Sequence, residues 1–488
     1  MRVVPVILTL VAAAVAPPAS ALAQGEPAQP TASQPMRSPT SLQLPPASQT
    51  FLGGVPSGTA TADTITITVI DAIRRALDHN LGVLTAQEQM GRAEGARWLA
   101  LSALLPNVSG RLSETRQVIN LAAFGFGGGT EGPFAGIPTI VGPFNVFDAR
   151  IALQQSVFDL GAINGNRAEN HNVSAAKLTE ESVRNFVIHV AGVAYIQALA
   201  NSARADAARA QQQTAQTLYN QAVDLKNNGL VAGIDVLRAQ VQLNAQMQRV
   251  TASVNEFEKS KLALARIIGL PLGQKFAIDP NLPELPTADL TFEQTVERAL
   301  QQRPDYQAAV ERVHAAEAAR QAIVGDALPS VRVNADYGAI GLTVGSAQAT
   351  YTVTGALNVP IFNGGRTRGR LLQADADLRQ RQSEAEDLKA SIHYELQGAF
   401  LDLQATNEQL QVATRARDLA AQQLAQARDR FAAGVGSNIE VVQAQEAVAV
   451  AEEQFIDAKF GYELAKGSVI RGVGASQQIL RQITGGTR

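Results

Sequence analysis

The sequence predicts a mainly α-helical chain with a β-barrel portion. Long antiparallel coiled-coil helices are joined to four membrane-crossing strands, in two internal structural repeats. Three observations predict this. A series of marks recurs in the same order at nearly constant offsets. Two proline-free stretches are rich in strong helix formers. Four segments alternate apolar and polar residues with a period of two.

The repeat shows in short blocks. Ala76-Leu77 and Leu105-Pro106-Asn107-Val108 return as Ala299-Leu300 and Leu328-Pro329-Ser330-Val331. Phe158-Asp159-Leu160-Gly161 returns as Phe362-Asn363-Gly364-Gly365. Ala194-Tyr195, Gly229 and Asp235-Val236-Leu237-Arg238-Ala239-Gln240 return as Ala399-Phe400, Gly434 and Glu440-Val441-Val442-Gln443-Ala444-Gln445. The offset changes mainly between the Leu-Pro and Phe-Asp/Asn marks, where the first copy carries an enlarged loop. One duplicated unit accounts for the pattern.

Residues 1–23 read as an export signal. Arg2 supplies the leading charge, Val3 to Ala16 is apolar, and Ala21-Leu22-Ala23 is a small-residue cleavage site before Gln24. The apolar run is short and Pro17-Pro18 interrupt it, which argues against an anchor helix. The chain has no Cys, which removes disulfides, thiolate metal sites and a lipid on the mature N-terminus. Residues 24–62, rich in Pro, Ser, Thr, Ala and Gln, read as a flexible leader. The first repeat spans 63–270, a linker 271–290, the second repeat 291–470, and a tail 471–488. The net charge is −3 with both signs interspersed, so there is no nucleic-acid footprint. Past the signal, no apolar run reads as a spanning helix. Leu262 to Leu272 is too short and holds Arg266 and Pro271. A membrane role therefore falls to strands.

A helical pattern runs from Asp71 to Leu105, where Pro106 ends it. Strands are expected near 107–118, 147–158, 330–341 and 350–362. The first is the poorest, because Glu114 breaks its apolar face. Each is roughly 10–12 residues, about the length that crosses a bilayer at a tilt. Long helices follow at 164–228 and 366–433, each about 100 Å at 1.5 Å per residue. Ala215, Leu218, Ala222 and Leu225 form one seam, and Ala420, Leu424, Ala427 and Phe431 another, at coiled-coil spacing. Gly229 and Gly434 stop these helices, as a glycine C-cap does. Return helices then run over 234–269 and 439–470. Asp235 and Glu440 sit in their first turns, where negative charge is favoured.

Four strands cannot close a membrane barrel, and an open sheet exposes unpaired backbone groups to lipid at several kcal/mol each. Two chains give about eight strands, whose interior fills with side chains. Three chains give twelve and leave a lumen. The expectation is a ring of at least three chains: a short barrel continued by a helical tube.

The duplicated Leu-Pro, strand, strand, Phe-Asp-x-Gly unit, with its long helix and Gly-to-Asp turn, resembles the outer membrane efflux protein family, the TolC-like channels of Gram-negative bacteria. The resemblance covers residues 63 to 470. It implies a homotrimer with a twelve-stranded barrel in outer-membrane lipid and a twelve-helix tunnel through the periplasm. It implies a passive exit duct that meets a periplasmic membrane-fusion adaptor protein and an inner-membrane pump, proton-driven or ATP-driven. An equatorial belt would draw on the linker and the chain end. The hairpin tips Gly229, Leu230, Val231, Ala232 and Gly434, Val435, Gly436, Ser437 would dock the adaptor. The alternative is that they are only tight turns.

In the best-known member of that family, an acid on the first tip and a tyrosine and arginine on the second latch the closed aperture. Asp235 matches the acid, while Phe431 and Gly436 stand at the other two positions. An acidic pair at the narrow mouth maps to Glu440, which matches, and Gln443, which does not. The known latch therefore cannot operate here. A threefold ring of Glu440 is one reading, and a solvated first-turn acid the other.

No residues point to catalysis, a cofactor or a metal. Gly125 and Gly127-Gly128-Gly129 lack a following Lys-Ser/Thr and lie between strands, so they read as an extracellular loop with Phe124, Phe126 and Phe134. His79, His171, His189, His314 and His393 are scattered singly without ligand spacing. A rival class is a coiled-coil surface protein such as an adhesin stalk, which accounts for the heptads but not for the paired strands.

Overall fold

The computed structural model describes residues 51–124, 138–283, 291–433 and 435–483. The export signal, most of the leader, the Gly125–Gly129 run, Gly434 and the last linker residues lie outside them. The elements in order are β1 (Ile65–Ile67), α1 (Val69–His79), α2 (Leu81–Ser102), β2 (Asn107–Asn120), β3 (Ile140–Phe158), α3 (Leu160–Asn227) and α4 (Gly233–Ile267). Then come β4 (Phe276–Ile278), α5 (Phe292–Gln302), α6 (Pro304–Gly325), β5 (Ser330–Gly341), β6 (Gln348–Asn358), α7 (Arg366–Ala432), α8 (Asn438–Val473) and α9 (Ser476–Ile483).

The single helix expected over Asp71–Leu105 is two helices. Asn80 breaks it by taking an extended conformation. Its side chain accepts from Gly82 N at 2.9 Å and donates to the Phe51 carbonyl at 2.8 Å, and it is fully buried. Arg303 makes the corresponding break in the second half, where Pro304 opens α6 at its first position. Both α1 and α5 start with a capping box, Thr68 with Asp71 and Thr291 with Gln294.

Helices α3 and α4 form one hairpin and α7 and α8 the other. Their seams are alanine-rich: Ala205, Ala208, Ala215 and Ala222 are buried on α3, and Ala413, Ala420 and Ala427 on α7. Small knobs let the helices approach closely along the roughly 50 Å that the return helices α4 and α8 cover. The main core lies midway along α3, where Val187, Ile188, Ala191, Tyr195 and Leu199 meet Ile73 and Ala76 of α1 and Leu264 and Ile267 of α4. Tyr195 is fully buried, and its hydroxyl donates to the Ile67 and Asp279 carbonyls at 3.0 and 2.7 Å. Burial and the nearby Asp279 charge push its pKa up, which keeps the donor proton in place. That ties α3 to a two-stranded parallel strap, β1 on β4, which has no period-two signal long enough to read in sequence.

Four further expectations are corrected. The leader is not loose through residue 62. From Phe51 it is pinned, with the Phe51 ring edge-on to Phe186 at 4.8 Å and Val55 N donating to the His79 carbonyl at 2.8 Å. Helix α3 does contain a stretch long and apolar enough to cross a membrane. The apolar residues at its middle instead face the main core, which is why they are apolar. Strand β3 starts at Ile140, not near 147, because the chain carries Gly142 at φ +121° through a register shift opposite Val118 and keeps pairing beyond it. Strand β6 ends at Asn358, leaving Val359 to Phe362 outside the ladder.

Candidate functional site

Two regions carry the surface chemistry: the four-stranded sheet at one end of the long helices and the hairpin tips at the other. The sheet is antiparallel in the order β2-β3-β5-β6, so the central β3–β5 pair joins the two halves of the chain. The register sorts its faces. Gly110, Ile151, Tyr337 and Tyr351 stand in one cross-strand row, and Val108, Leu153, Ala335 and Val353 in the next. Val108, Leu112, Ile151, Tyr337, Tyr351, Val353 and Leu357 are all exposed. An apolar face this extensive needs an apolar surround.

The opposite face is polar. Its rows hold Ser109, Ala152, Asp336 and Thr352, then Arg111, Arg150, Gly338 and Thr350. Arg150 binds Asp148 at 2.7 Å and Asp336 at 2.9 Å. This pairing offsets the like charge of Arg111, which lies directly across from it. Gly338 makes room for it, since a Cβ there would run into the Ala149 carbonyl and the Arg150 stem. Glu114, on the apolar face, accepts from Asn145 at 3.1 Å. Strands β2 and β6 are the sheet edges, so each leaves one row of backbone donors and acceptors unmatched within the chain.

At the first tip Gly229 takes φ +74° and donates to the Lys226 carbonyl, while Leu230 N closes on the Leu225 carbonyl at 2.9 Å. This is the left-handed glycine stop. Leu230 is 71% exposed, and Ala232 is exposed beside it. Val231 is not presented to solvent in the same way. It folds back onto Leu424, Ala427, Phe431, Val441 and Ala444, the cluster that holds the two hairpins together. At the second tip Val435 is 71% exposed, Gly436 half-buried, and Ser437 caps α8 by accepting from Glu440 N at 3.3 Å.

The acids expected at the aperture pair locally. Asp235 meets Arg238 at 3.3 Å and Glu440 meets Arg430 at 3.6 Å. Gln443 is exposed, whereas Phe431 is buried in the inter-hairpin cluster, where its apolar ring belongs. What links the tips was not singled out in the sequence. Asn438 Nδ2 donates to the Asp235 carbonyl at 3.0 Å, and Arg249 of α4 pairs with Glu446 of α8 at 2.6 Å. A backbone acceptor leaves no signal in sequence, and Arg249 is one of many arginines.

Midway along α3, Arg303 is buried against Asp305 at 2.7 Å and Glu395 at 2.9 Å, and also donates to the Gly472 carbonyl at 3.2 Å. Burial opposes its charge, but the two carboxylates outweigh this and hold its pKa above the ordinary value. His189 lies nearby. Burial and then the Arg471 charge push its pKa down to about 4, so the ring is neutral.

The histidines are not all separate in space, which corrects the sequence reading. His171 of α3 and His314 of α6 come ring to ring, with centroids 5.4 Å apart, around Glu311. Two histidines on different helices give no spacing signal. His393 instead packs on Phe292 at 5.1 Å.

Comparison with known proteins places this arrangement. The family model for outer membrane efflux proteins matches residues 295–468. The chain is 22% identical over 351 residues to the pyoverdine export outer membrane protein OpmQ of Pseudomonas putida, covering 68% of this chain and 71% of that one. It is 24% identical over 346 residues to the alkaline protease secretion protein AprF of Pseudomonas aeruginosa, covering 65% and 68%. The fold is similar to that of the CmeC outer membrane channel of Campylobacter jejuni, with TM-score 0.72 at 18% identity over 88% of this chain and 92% of that one. The outer membrane protein VceC of Vibrio cholerae gives TM-score 0.70 at 17% identity over 83% and 96%. The family model thus matches much of the second half of the chain, most of its length shares the fold of solved outer membrane channels, and the chain is similar to the outer membrane efflux proteins.

Proposed function

We propose that this chain is one subunit of a homotrimeric outer-membrane channel, the passive exit duct of a tripartite efflux or type I secretion system. The observation that carries this is the sheet: four strands, two open edges, one exposed apolar face and one polar face. Joining β2 of one chain to β6 of the next satisfies both edges, turns the apolar face to outer-membrane lipid and the polar face to a lumen. Three chains give a twelve-stranded barrel, wide enough to leave that lumen open. The repeated order of two helices, two strands, a long helix and a return helix supports a duplicated unit, with 63–270 and 291–470 as its copies. Six such hairpins then make the periplasmic tube.

The tips at Gly229–Ala232 and 434–437 dock a periplasmic adaptor, which couples the duct to an inner-membrane pump. Leu230 and Val435 support this, because each sets a large apolar group in solvent at a helix end. Asp235, Glu440 and Gln443 line the aperture. The duct does no chemistry of its own, and energy comes from the pump. The relatives named for pyoverdine export and protease secretion favour a small molecule or a secreted protein as cargo.

Planar-bilayer recording of the purified trimer tests the proposal. Stepwise conductance is the expected result. A silent protein that remains a helical rod outside lipid would support the stalk reading instead.

A further inference from the structure

One side-chain cluster has no part in forming a duct. His171 comes from α3, and Glu311 and His314 come from α6. His171 Nδ1 lies 2.8 Å from Glu311 Oε2, and the other carboxylate oxygen lies 3.8 Å from His314 Nδ1. One ligand atom from each residue falls within 4.8 Å of the other two. Glu311 and His314 are three apart on a helix and so share a face. A Glu-x-x-His pair on one helix, completed by a side chain from the facing helix, is a known way for bundles to converge metal ligands.

We propose that His171, Glu311 and His314 form a site for a divalent transition metal of the Zn²⁺, Co²⁺ or Ni²⁺ class, which clamps α6 to α3. The donor set decides the class. Two imidazoles and one carboxylate suit these borderline ions, whereas Ca²⁺ and Mg²⁺ prefer all-oxygen shells. The geometry decides the reach. A tetrahedral ion with bonds of about 2.0–2.1 Å holds its ligand atoms roughly 3.3 Å apart. The two histidine-to-carboxylate separations, 2.8 and 3.8 Å, lie on either side of that value and all three ligand atoms fall within 4.8 Å, so side-chain rotations complete the set. The His171 and His314 side chains are 40% and 47% exposed, which gives an ion its route in and leaves a fourth position to water. A plain ion pair accounts for His171 on Glu311. It does not require His314 at the second oxygen of the same carboxylate.

The test is a Co²⁺ titration of the full-length chain, free of any histidine tag, in detergent, followed by visible absorption. Saturation at one Co²⁺ per chain is expected, with displacement by Zn²⁺. His171→Gln and His314→Gln should each weaken binding by at least about tenfold, the loss that even outer-shell changes produce. Zn²⁺ should raise the melting temperature of the unsubstituted chain and not that of the double variant. Both positions are partly exposed, and unchanged helical circular dichroism checks that the variants are folded. No saturable uptake by the unsubstituted chain, or uptake that the double variant leaves unchanged, would overturn the proposal.

Discussion

The Asn438 side chain donates a 3.0 Å hydrogen bond to the backbone carbonyl of Asp235, tying the first turn of α8 to the first turn of α4. Asn438 is almost fully buried, and Asp235 is half-buried. Asp235 acts in it through its backbone, while its carboxylate is engaged with Arg238. This link between hairpins therefore does not depend on the Asp235 carboxylate.

A first prediction separates the two groups. Asn438→Leu removes this bond while the Asp235 carbonyl keeps its partner within α4, at a cost of about 0.5–1.5 kcal/mol per subunit. The hairpins should part more readily, and mean channel conductance should rise several-fold in bilayer recordings. Asp235→Ala keeps the carbonyl and should change conductance little. A large increase in Asp235→Ala would place the latch on its carboxylate instead.

The tips give a second prediction. Leu230→Asp and Val435→Asp put charge on the two most exposed apolar tip groups. Export measured in cells should be abolished in each, with the amount of outer-membrane trimer unchanged. Normal export in both would remove the tips from adaptor docking.

Gly338 supports a third. A Cβ at this position would sit 2.6 Å from the Arg150 Cα and force β3 away from β5. Gly338→Val should cost about 1–3 kcal/mol as an overpacked contact. The yield of heat-resistant trimer on gels should fall, and Gly355→Val on β6, which meets open space, should leave it intact.

A fourth concerns pH. His189 has a pKa of about 4 in the folded chain against an ordinary 6.5, chiefly through burial. The folded state therefore binds its proton more weakly than the unfolded state. Its contribution is complete above pH 6.5, is lost progressively as pH falls toward 4, and levels off below that. His189 is only half-buried, so the loss is discounted to about 1–2 kcal/mol. The melting temperature should drop between pH 7 and pH 5, and His189→Gln should flatten that part of the profile.

Much of this molecule was legible because its signals are local and periodic. The alanine seams and the glycine stop at Gly229 announce long hairpins. The strand expected at 350–362 overlaps β6 up to Asn358, and the one expected at 147–158 lies within β3. The break at Asn80 was missed because its cause is tertiary, a buried amide bonding to Phe51. Pro304 marks the matching break in the second half openly. The β1–β4 strap is too short for periodicity, and it is held by Tyr195 from a distant helix. At the tips, the exposed Leu230 could be read from its place in a turn. The inward fold of Val231 and the Asn438 link could not, since both depend on where the second hairpin lies.

The central claim is that separate chains complete one another's sheet. The most direct measurement is a cryo-EM map of the full-length protein in lipid nanodiscs. It should show three chains, with β2 of each hydrogen-bonded to β6 of its neighbour in a closed barrel. A single chain whose β2 and β6 edges stay open, or pair with each other, would contradict it.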